Sequence, residues 1–179
     1  RQVLAQFSLI KQTVRDWKDD DAVADCVGRI LRRELGDGSG LIYGMGHAVY
    51  TLSDPRTVIL RQSARTLAAQ RGMLDELELM EAVERVTPRV FAEITGHEKV
   101  MCANVDMYSG LIYQMLDIPP DLFTPLFAVA RITGWCAHRM EEVLTGGRLY
   151  RPAYKSLTRH REYIPMAART YRKNPLPAE

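Results

Sequence analysis

The segment of residues 44–56 reads GMGHAVYTLSDPR and separates two kinds of pattern along the chain. Its first half, in which Gly44 and Gly46 flank a methionine before His47, is typical of a loop whose main chain a ligand can approach closely. Its second half ends in Asp54 followed by proline, the usual combination at a helix N-cap and first turn. Outward in both directions, apolar residues recur every three or four positions, which indicates helices. We therefore predict a mainly α-helical protein without an alternating β/α pattern.

The spacing of apolar residues predicts six helices. Aspartates precede the second and third of them, and the glycine-rich residues 36–40 form a loop. In the last helix apolar residues nearly encircle the axis, which predicts that it is buried. Residues 148–179 contain four prolines and are expected to form an extended arm, with one short strand near residues 148–150, that packs on another surface. The six predicted helices cover residues 3–17, 19–35, 54–70, 74–95 with a bend or break at Pro88, 104–116 and 122–143.

Composition and charge indicate an ordinary globular protein. The chain has 179 residues, of which 46% are hydrophobic and 26% are charged, and its formal net charge is +2. This near balance gives no general case for binding nucleic acid or a membrane surface. No apolar run approaches the roughly 20 residues that a membrane-spanning helix needs. The basic residues 159–173 are interrupted by Glu162, so they make only a weak case for nucleic acid binding.

The cysteines and the first residue give two further expectations. Cys26, Cys102 and Cys136 cannot all pair with one another and include no CxxC doublet, so we expect buried free thiols in a reducing, cytoplasmic compartment. No cluster of residues has the spacing of metal ligands. The chain begins with arginine and not methionine, so it is expected to be a fragment or a processed product.

Two side chains of the segment 44–56 are suited to chemistry. His47 exchanges protons near neutral pH, as a general acid or base must. Arg56 lies early in the predicted helix and is able to bind a carboxylate through two parallel hydrogen bonds. The spacing fits equally a turn with an exposed histidine, so both interpretations stay open at this point.

Asp106 and Arg131 are charged residues in apolar surroundings. Asp106 lies in the first turn of an otherwise apolar helix, where it is either a capping carboxylate favoured by the positive helix end or a general base. Arg131 lies in the apolar last helix, and a buried arginine needs an anion. That anion is either a structural carboxylate or a carboxylate of the substrate. Arg151 is a similar but less marked case.

Four segments, taken together and in this order, resemble the citrate synthase family. Residues 44–56 are similar to its histidine loop and the helix start that follows. Residues 104–110, NVDMYSG, are similar to its catalytic aspartate motif. Residues 124–142, TPLFAVARITGWCAHRMEE, and 146–156, GGRLYRPAYKS, are similar to its late helix and C-terminal arm. The resemblance covers essentially the whole chain and implies an enzyme that condenses acetyl-CoA with oxaloacetate to give citrate and CoA.

The resemblance implies a role for each candidate residue. Asp106 takes a proton from the methyl carbon of acetyl-CoA. His47 polarises the carbonyl of the oxo acid and supplies a proton as the new carbon–carbon bond forms. The residues that bind the carboxylates of the oxo acid, or lie beside it, are Arg56, Arg131, Arg151 and Phe127. Arg151 completes the site from a partner subunit, which implies a homodimer or a higher homo-oligomer.

Coenzyme A enters as a thioester substrate, and the resemblance implies no tightly bound cofactor. The backbone of Gly44, Met45 and Gly46 resembles the loop that recognises the adenine of coenzyme A. Asn104 helps to place the thioester end.

The family also carries a first catalytic histidine, in a His-Gly-x-Ala-Asn segment. None of the four histidines of this chain lies in such a segment, and the family pattern places it just before residue 1. The chain is therefore identified as the small domain, residues 1–111, followed by the last part of the large domain, residues 112–179. We expect the isolated chain to be catalytically inactive.

Two alternatives stay open. The same reaction on propionyl-CoA gives 2-methylcitrate, and one methylene provides only about 1–3 kcal/mol of discrimination. A non-catalytic helical module for assembly or partner binding is consistent with the absent histidine and the unsupported arm. Such a module does not account for the presence of His47, Asp106 and all three arginines at the positions that the family uses.

Overall fold

A computed structural model describes residues 1–50, 52–97, 101–146 and 162–169. Within these residues the chain is helical and forms no strand, and an isolated antiparallel bridge pairs Met45 with Ala103. The predicted fold class, mainly α-helical, is confirmed. The helices are α1 Gln2–Thr13, α2 Asp20–Leu31, α3 Pro55–Arg71, α4 Leu74–Thr95, α5 Asp106–Met115, α6 Phe123–Val129 and α7 Ile132–Thr145, with 3₁₀ turns at Pro120–Leu122 and Met166–Ala168.

The chain divides into two compact units, Arg1–Gly134 and Trp135–Glu179. The first contains α1 to α6 and the start of α7, and the second contains the rest of α7. In neither unit, as far as it is described, is a helix long and apolar enough to cross a membrane. The expected boundary between residues 111 and 112 concerns the two domains of the family and stays a prediction.

The core of the first unit lies between five helices, α1 to α5. α2 packs against α4, and α3 packs against α5. α5 also contacts α1 and α4, and its residues Met107, Tyr108 and Leu111 are fully buried. Because three neighbouring helices hold α5, its first turn has a fixed place in the fold, and this turn carries Asp106.

Aspartates and glycines set the ends of α2, α3 and α4. The Asp19 carboxylate accepts hydrogen bonds from two backbone N–H groups of the first turn of α2, and the Asp54 carboxylate accepts one at the start of α3. Gly72 and Gly96 adopt left-handed backbone angles, with φ of 68° and 69°, directly after α3 and α4. These starts and stops were all predicted from the sequence and are confirmed.

Two helices end earlier than predicted, and one is not divided. α1 stops at Thr13 because Val14 is extended, with φ of −96° and ψ of 124°. α2 stops at Leu31, and Arg33 then takes a φ of 67°, which a right-handed helix cannot continue. Pro88 does not divide α4, which runs through it without interruption.

The predicted long, buried helix over residues 122–143 is wrong in two respects. It is divided into α6 and α7, with Ala130 and Arg131 in the turn between them. Phe123 is buried, but its other large apolar side chains are exposed in the described chain, from 38% at Leu126 to 69% at Val129. Apolar residues around a whole helix predict that some surface covers it. They do not predict that the covering surface belongs to the same segment of chain.

Candidate functional site

A short antiparallel pairing joins the loop that carries His47 to the segment that leads into α5. Residues 41–50, called the His47 loop below, run beside residues 102–104. The Gly46 N–H donates to the Cys102 carbonyl at 2.7 Å, and the Asn104 N–H donates to the Gly44 carbonyl at 2.8 Å. Two segments more than 50 residues apart are thereby fixed side by side, and each carries a predicted catalytic residue.

The Asn104 side chain adds two hydrogen bonds to this pairing, one through its amide nitrogen and one through its amide oxygen. Its Nδ2 donates to the Gly46 carbonyl at 2.9 Å. Its Oδ1 accepts a hydrogen bond from the Asp106 backbone N–H at 3.0 Å. One amide therefore connects the His47 loop to the first turn of α5 and helps to orient the Asp106 residue.

Gly44 allows the His47 loop to lie directly on α5. Its φ is 92°, and a Cβ built on it would meet both Cα and Sδ of Met107 at 2.9 Å. Real Cβ atoms do not approach other atoms this closely, and the Met107 Cα belongs to backbone that cannot turn away. Gly46 also has a left-handed φ, 87°, but a Cβ there would have nothing within 4 Å.

We expect Gly44→Ala to destabilise the protein much more than Gly46→Ala. Both variants place a side chain at a left-handed φ, which costs about 1–2 kcal/mol. Gly44→Ala adds the overlap with Met107, and overpacking of this kind costs roughly 1–3 kcal/mol more. Urea denaturation of both variants measures the difference in the free energy of unfolding. Equal destabilisation of the two would show that the close approach at Gly44 is unimportant.

The His47 ring is held by its own loop in one tautomer. Its Nδ1 accepts hydrogen bonds from the backbone N–H groups of Val49, at 2.9 Å, and Tyr50, at 3.0 Å. A nitrogen that accepts from two donors cannot carry a proton itself. The proton of the neutral ring is therefore on Nε2, which lies 3.3 Å from a terminal nitrogen of Arg56. Because both groups are donors, they are arranged to donate together to an oxygen of a ligand.

Asp54 fixes Arg56 in this position. The Asp54 side chain is buried, caps α3, and accepts from Nε of Arg56 at 3.0 Å and from its terminal nitrogen at 2.7 Å. The hydrogen bond from Arg56 holds the pKa of the Asp54 carboxyl below its ordinary value, against the opposite effect of burial. The pKa of Arg56 is raised, mainly by Asp54 and to a smaller extent by the charge of Asp106. Arg56 and Asp106 are therefore within electrostatic range of each other.

A cavity of about 530 Å³ brings Asp106 together with three other predicted residues, Gly44, Phe127 and Arg131. The Arg131 guanidinium lies over the Phe127 ring, 3.1 Å from its centre, and donates to the Phe127 carbonyl at 3.1 Å. No carboxylate lies within ion-pair distance of Arg131 in the described residues. The structural carboxylate that the sequence left open is thus not found there, and the guanidinium is able to bind an anion in the cavity.

A second cavity, of about 250 Å³, meets the first at Asp106. Residues 41–45 of the His47 loop, Asn104, Leu31, Phe91 and Met101 also line it. The exposed Asp106 carboxylate is therefore the boundary between a cavity that contains an arginine on an aromatic ring and a cavity with mostly apolar walls. This arrangement suits a base that acts between an anionic reactant and a less polar one.

The structure gathers the predicted residues unevenly. The two cavities are lined by Gly44, Met45, Asn104, Asp106, Phe127 and Arg131, whereas Gly46 lines neither, and His47 and Arg56 lie together at Asp54 and also line neither. Arg151 lies outside the described residues. Asp54 was predicted only as a helix cap, and its pairing with Arg56 was missed. The i, i+2 spacing of the two charges at a helix start was the available signal.

The chain is similar throughout to one family of enzymes. Residues 6–153 match the family described as "Citrate synthase, C-terminal domain". A citrate synthase from Synechocystis is 44% identical over 129 residues, which are 72% of this chain and 31% of that protein. A citrate synthase from Acidithiobacillus ferridurans is 37% identical over 160 residues, which are 89% of this chain and 40% of that protein. A 2-methylcitrate synthase from Shewanella oneidensis is 34% identical over 161 residues, which are 88% of this chain and 39% of that protein.

Among solved structures, the chain resembles a citrate synthase from Thermoplasma acidophilum in a ternary complex with carboxymethyl coenzyme A and oxaloacetate. The TM-score is 0.60 with 25% identity, over 94% of this chain and 42% of that one. The chain thus spans about a third to two fifths of the length of the relatives that it matches.

Proposed function

This chain belongs to the citrate synthase family, and we propose that the protein that carries it condenses acetyl-CoA with oxaloacetate to give citrate and CoA. The observation that carries this proposal is the position of Asp106, whose carboxylate lies where an arginine-containing cavity meets a mostly apolar one. The reaction needs one base between two reactants of this kind. It also needs hydrogen-bond donors for the carbonyl of the oxo acid.

Asp106 is the proposed base. The methyl protons of a thioester are weakly acidic, so a carboxylate removes one of them only when it is well oriented and the resulting enol oxygen is hydrogen-bonded. Asn104 and the helices around α5 supply the orientation. The proton passes from the methyl carbon to the Asp106 carboxylate, and that carbon then attacks the carbonyl carbon of the oxo acid.

His47 is the proposed donor to that carbonyl. Its Nε2 carries the proton because the backbone N–H groups of Val49 and Tyr50 occupy Nδ1. As the carbon–carbon bond forms, negative charge develops on the carbonyl oxygen, and the Nε2 proton moves to it to give the hydroxyl of citryl-CoA. Water then cleaves the carbon–sulfur bond of this thioester, which gives citrate and the free thiol of CoA. Arg56, 3.3 Å from Nε2, donates to the same reactant.

The arginines and Phe127 are the proposed binding groups for oxaloacetate. A dianionic acid favours several guanidinium groups, because each one is able to form paired, charge-assisted hydrogen bonds. Arg131 is oriented by the Phe127 ring and Arg56 by Asp54. Arg151 is proposed, by family resemblance, to reach the site from a partner subunit, which makes the active protein a homodimer or a higher homo-oligomer.

Coenzyme A is proposed to lie along the His47 loop, as a substrate and not as a tightly bound cofactor. Three backbone groups of this loop already form hydrogen bonds within the protein: the N–H groups of Met45 and Gly46 and the carbonyl of Gly44. The Met45 carbonyl has no hydrogen-bond partner among the described residues, so it is the group we propose for the adenine. The thioester end then reaches Asn104 and Asp106 through the smaller cavity. The cysteines Cys26, Cys102 and Cys136 are free, which supports the proposed cytoplasmic location. The expectation that all three are buried is wrong, because Cys102 is half-buried and Cys136 is exposed.

We propose that a histidine upstream of residue 1 completes the site by binding the enol oxygen. Arg1 and Gln2, at the start of α1, line the same cavity as Asp106 and Arg131. Residues that lead into α1 would therefore pass this cavity, which is where the resemblance places the first catalytic histidine. On this proposal the isolated chain holds one part of a divided active site.

Release of free thiol from acetyl-CoA in the presence of oxaloacetate tests the proposal. We expect release from the protein with its natural upstream sequence and none from the isolated 179-residue chain. Release from the isolated chain would mean that no upstream histidine is required. Absence of release from both would favour another acyl-CoA, another oxo acid, or the non-catalytic helical module.

The second candidate is the same condensation with propionyl-CoA. It is favoured by the 2-methylcitrate synthase of Shewanella oneidensis, which is similar over nearly the same share of the chain as the citrate synthases. Competition between the two acyl-CoAs in one reaction, followed by separation of citrate from 2-methylcitrate, distinguishes the two.

A further inference from the structure

A partly buried hydrogen bond connects α5 to α4, two residues after Asp106. Tyr108 is fully buried, and its hydroxyl donates to Oε2 of Glu84 on α4. Burial raises the pKa of Tyr108, and the hydrogen bond to Glu84 and the charge of Glu84 raise it further. The phenol therefore keeps its proton, and remains a donor, at any pH at which the protein works.

This bond adds a directional contact to the apolar packing that holds α5 in place. Asp106 and Tyr108 are two residues apart on the same helix, so their side chains leave α5 on roughly opposite sides. The other buried residues of α5, such as Met107, Leu111 and Met115, are apolar, and their contacts have no fixed direction. Among the described residues, the Tyr108 bond is the one that joins a side chain of α5 to a neighbouring helix. It therefore adds a directional constraint on the rotation of α5 about its axis.

Glu84 also joins α5 to the helix that carries Arg56. It lies 3.5 Å from Arg61 of α3. It shares a cavity of about 190 Å³ with Asp54, the carboxylate that holds Arg56, and with Thr57. The Thr57 hydroxyl is buried and has no hydrogen-bond partner in the described part of the chain. Glu84 thus accepts a hydrogen bond from Tyr108 of α5 and forms an ion pair with Arg61 of α3.

We propose that Glu84 is a positioning residue for the reaction, acting through Tyr108. It holds α5 at the rotation that directs the Asp106 carboxylate toward the reactants, in register with the α3 terminus and Arg56. This inference rests on the proposed function, in which Asp106 removes the methyl proton. Neither Glu84 nor Tyr108 lines the two cavities that contain Asp106, so neither touches the reacting atoms.

The test compares three variants of the protein with its upstream sequence included. Tyr108→Phe keeps the ring and removes the donor. Glu84→Gln keeps an acceptor for Tyr108 and removes the charge that faces Arg61. Glu81→Gln is the matched control, because Glu81 lies one turn earlier on α4 and pairs with Arg65 at 2.5 Å without contacting α5 through a hydrogen bond.

We expect Tyr108→Phe to lower kcat roughly 10- to 100-fold, since a base misplaced by about 1 Å loses on the order of 100-fold in rate. The KM values for both substrates should stay within about twofold, because the binding groups do not move. The kinetic isotope effect on kcat with methyl-deuterated acetyl-CoA should rise, because proton removal becomes slower than the other steps. Glu84→Gln should lose less than Tyr108→Phe, and Glu81→Gln should match the wild type.

Hydrogen exchange of the α5 amides gives the same comparison without catalysis. We expect exchange at least about tenfold faster in Tyr108→Phe and unchanged in Glu81→Gln. Unchanged kcat and unchanged α5 exchange in Tyr108→Phe, or equal effects in Glu81→Gln, would overturn the inference. Absence of thiol release from the wild type would instead refute the proposed function, and exchange would still decide whether Tyr108 and Glu84 hold α5.

Discussion

Asp106→Asn is expected to abolish thiol release from acetyl-CoA almost completely in the protein with its upstream sequence included. The substitution keeps the size of the side chain and its place in the first turn of α5, but an amide cannot accept the methyl proton. General bases contribute roughly 10²- to 10⁴-fold to a rate, so kcat should fall by about that factor. KM for oxaloacetate should change little, since the arginines that we propose for its carboxylates are intact. Initial rates over a range of both substrates measure these values.

Asp117→Asn is the matched control for this variant. Asp117 follows α5 directly, is exposed, and pairs with Arg71 at 3.2 Å. Its φ of 57° is one that asparagine adopts readily, so the fold should be undisturbed and the rate should stay within about twofold. A loss in both variants would point to a general disturbance of α5. An Asp106→Asn protein that keeps more than a tenth of the wild-type kcat would exclude Asp106 as the base.

Arg131→Lys is expected to weaken the use of oxaloacetate by about 30-fold or more in kcat/KM, with the larger part in KM. Lysine keeps the positive charge but loses the planar fork that pairs with a carboxylate and lies flat on the Phe127 ring. A hydrogen bond to a charged group contributes about 1.5–3 kcal/mol, so loss of one of the two parallel bonds accounts for an effect of this size. KM for acetyl-CoA should be unchanged, because Arg131 lines the larger cavity and not the smaller one.

Arg139→Lys provides the comparison for Arg131→Lys. Arg139 is an exposed arginine on α7 that pairs with Glu142 at 3.3 Å, and exposed pairs of this kind contribute little. We expect its kinetics to match the wild type. If Arg131→Lys likewise leaves KM for oxaloacetate unchanged, the anion that binds Arg131 is not this substrate.

Most of the helices could be predicted from the sequence because their signals are local. A cap such as Asp19 or Asp54 and a stop such as Gly72 act on the residues next to them, so they were found in the expected places. The end of α1 was misplaced because Val14 and Trp17 continue the apolar spacing after the backbone has become extended. Spacing reports which residues pack against the core, and an extended turn is able to bring a residue there as well as a helix can.

The candidate site was predictable in its residue types and not in its arrangement. Ordered motifs identified His47, Arg56, Asp106 and Arg131. They did not show that Asp106 separates two cavities, or that Asp54 holds Arg56 beside His47. Each of these facts depends on contacts between segments that are distant in sequence or on the direction in which a side chain leaves the backbone.

The sequence by itself determined the helical class and the family, because helix periodicity, caps and an ordered set of motifs are properties of neighbouring residues. The chemistry of the site stays a prediction. Only the tertiary structure decided which of these groups act together. The pairing of Gly46 with Cys102 fixes the His47 loop on α5, two backbone N–H groups choose the tautomer of His47, and Tyr108 connects α5 to Glu84. The physical reason is that hydrogen bonds are short and directional. Their partners are therefore set by the folded positions of whole helices, which no local pattern contains.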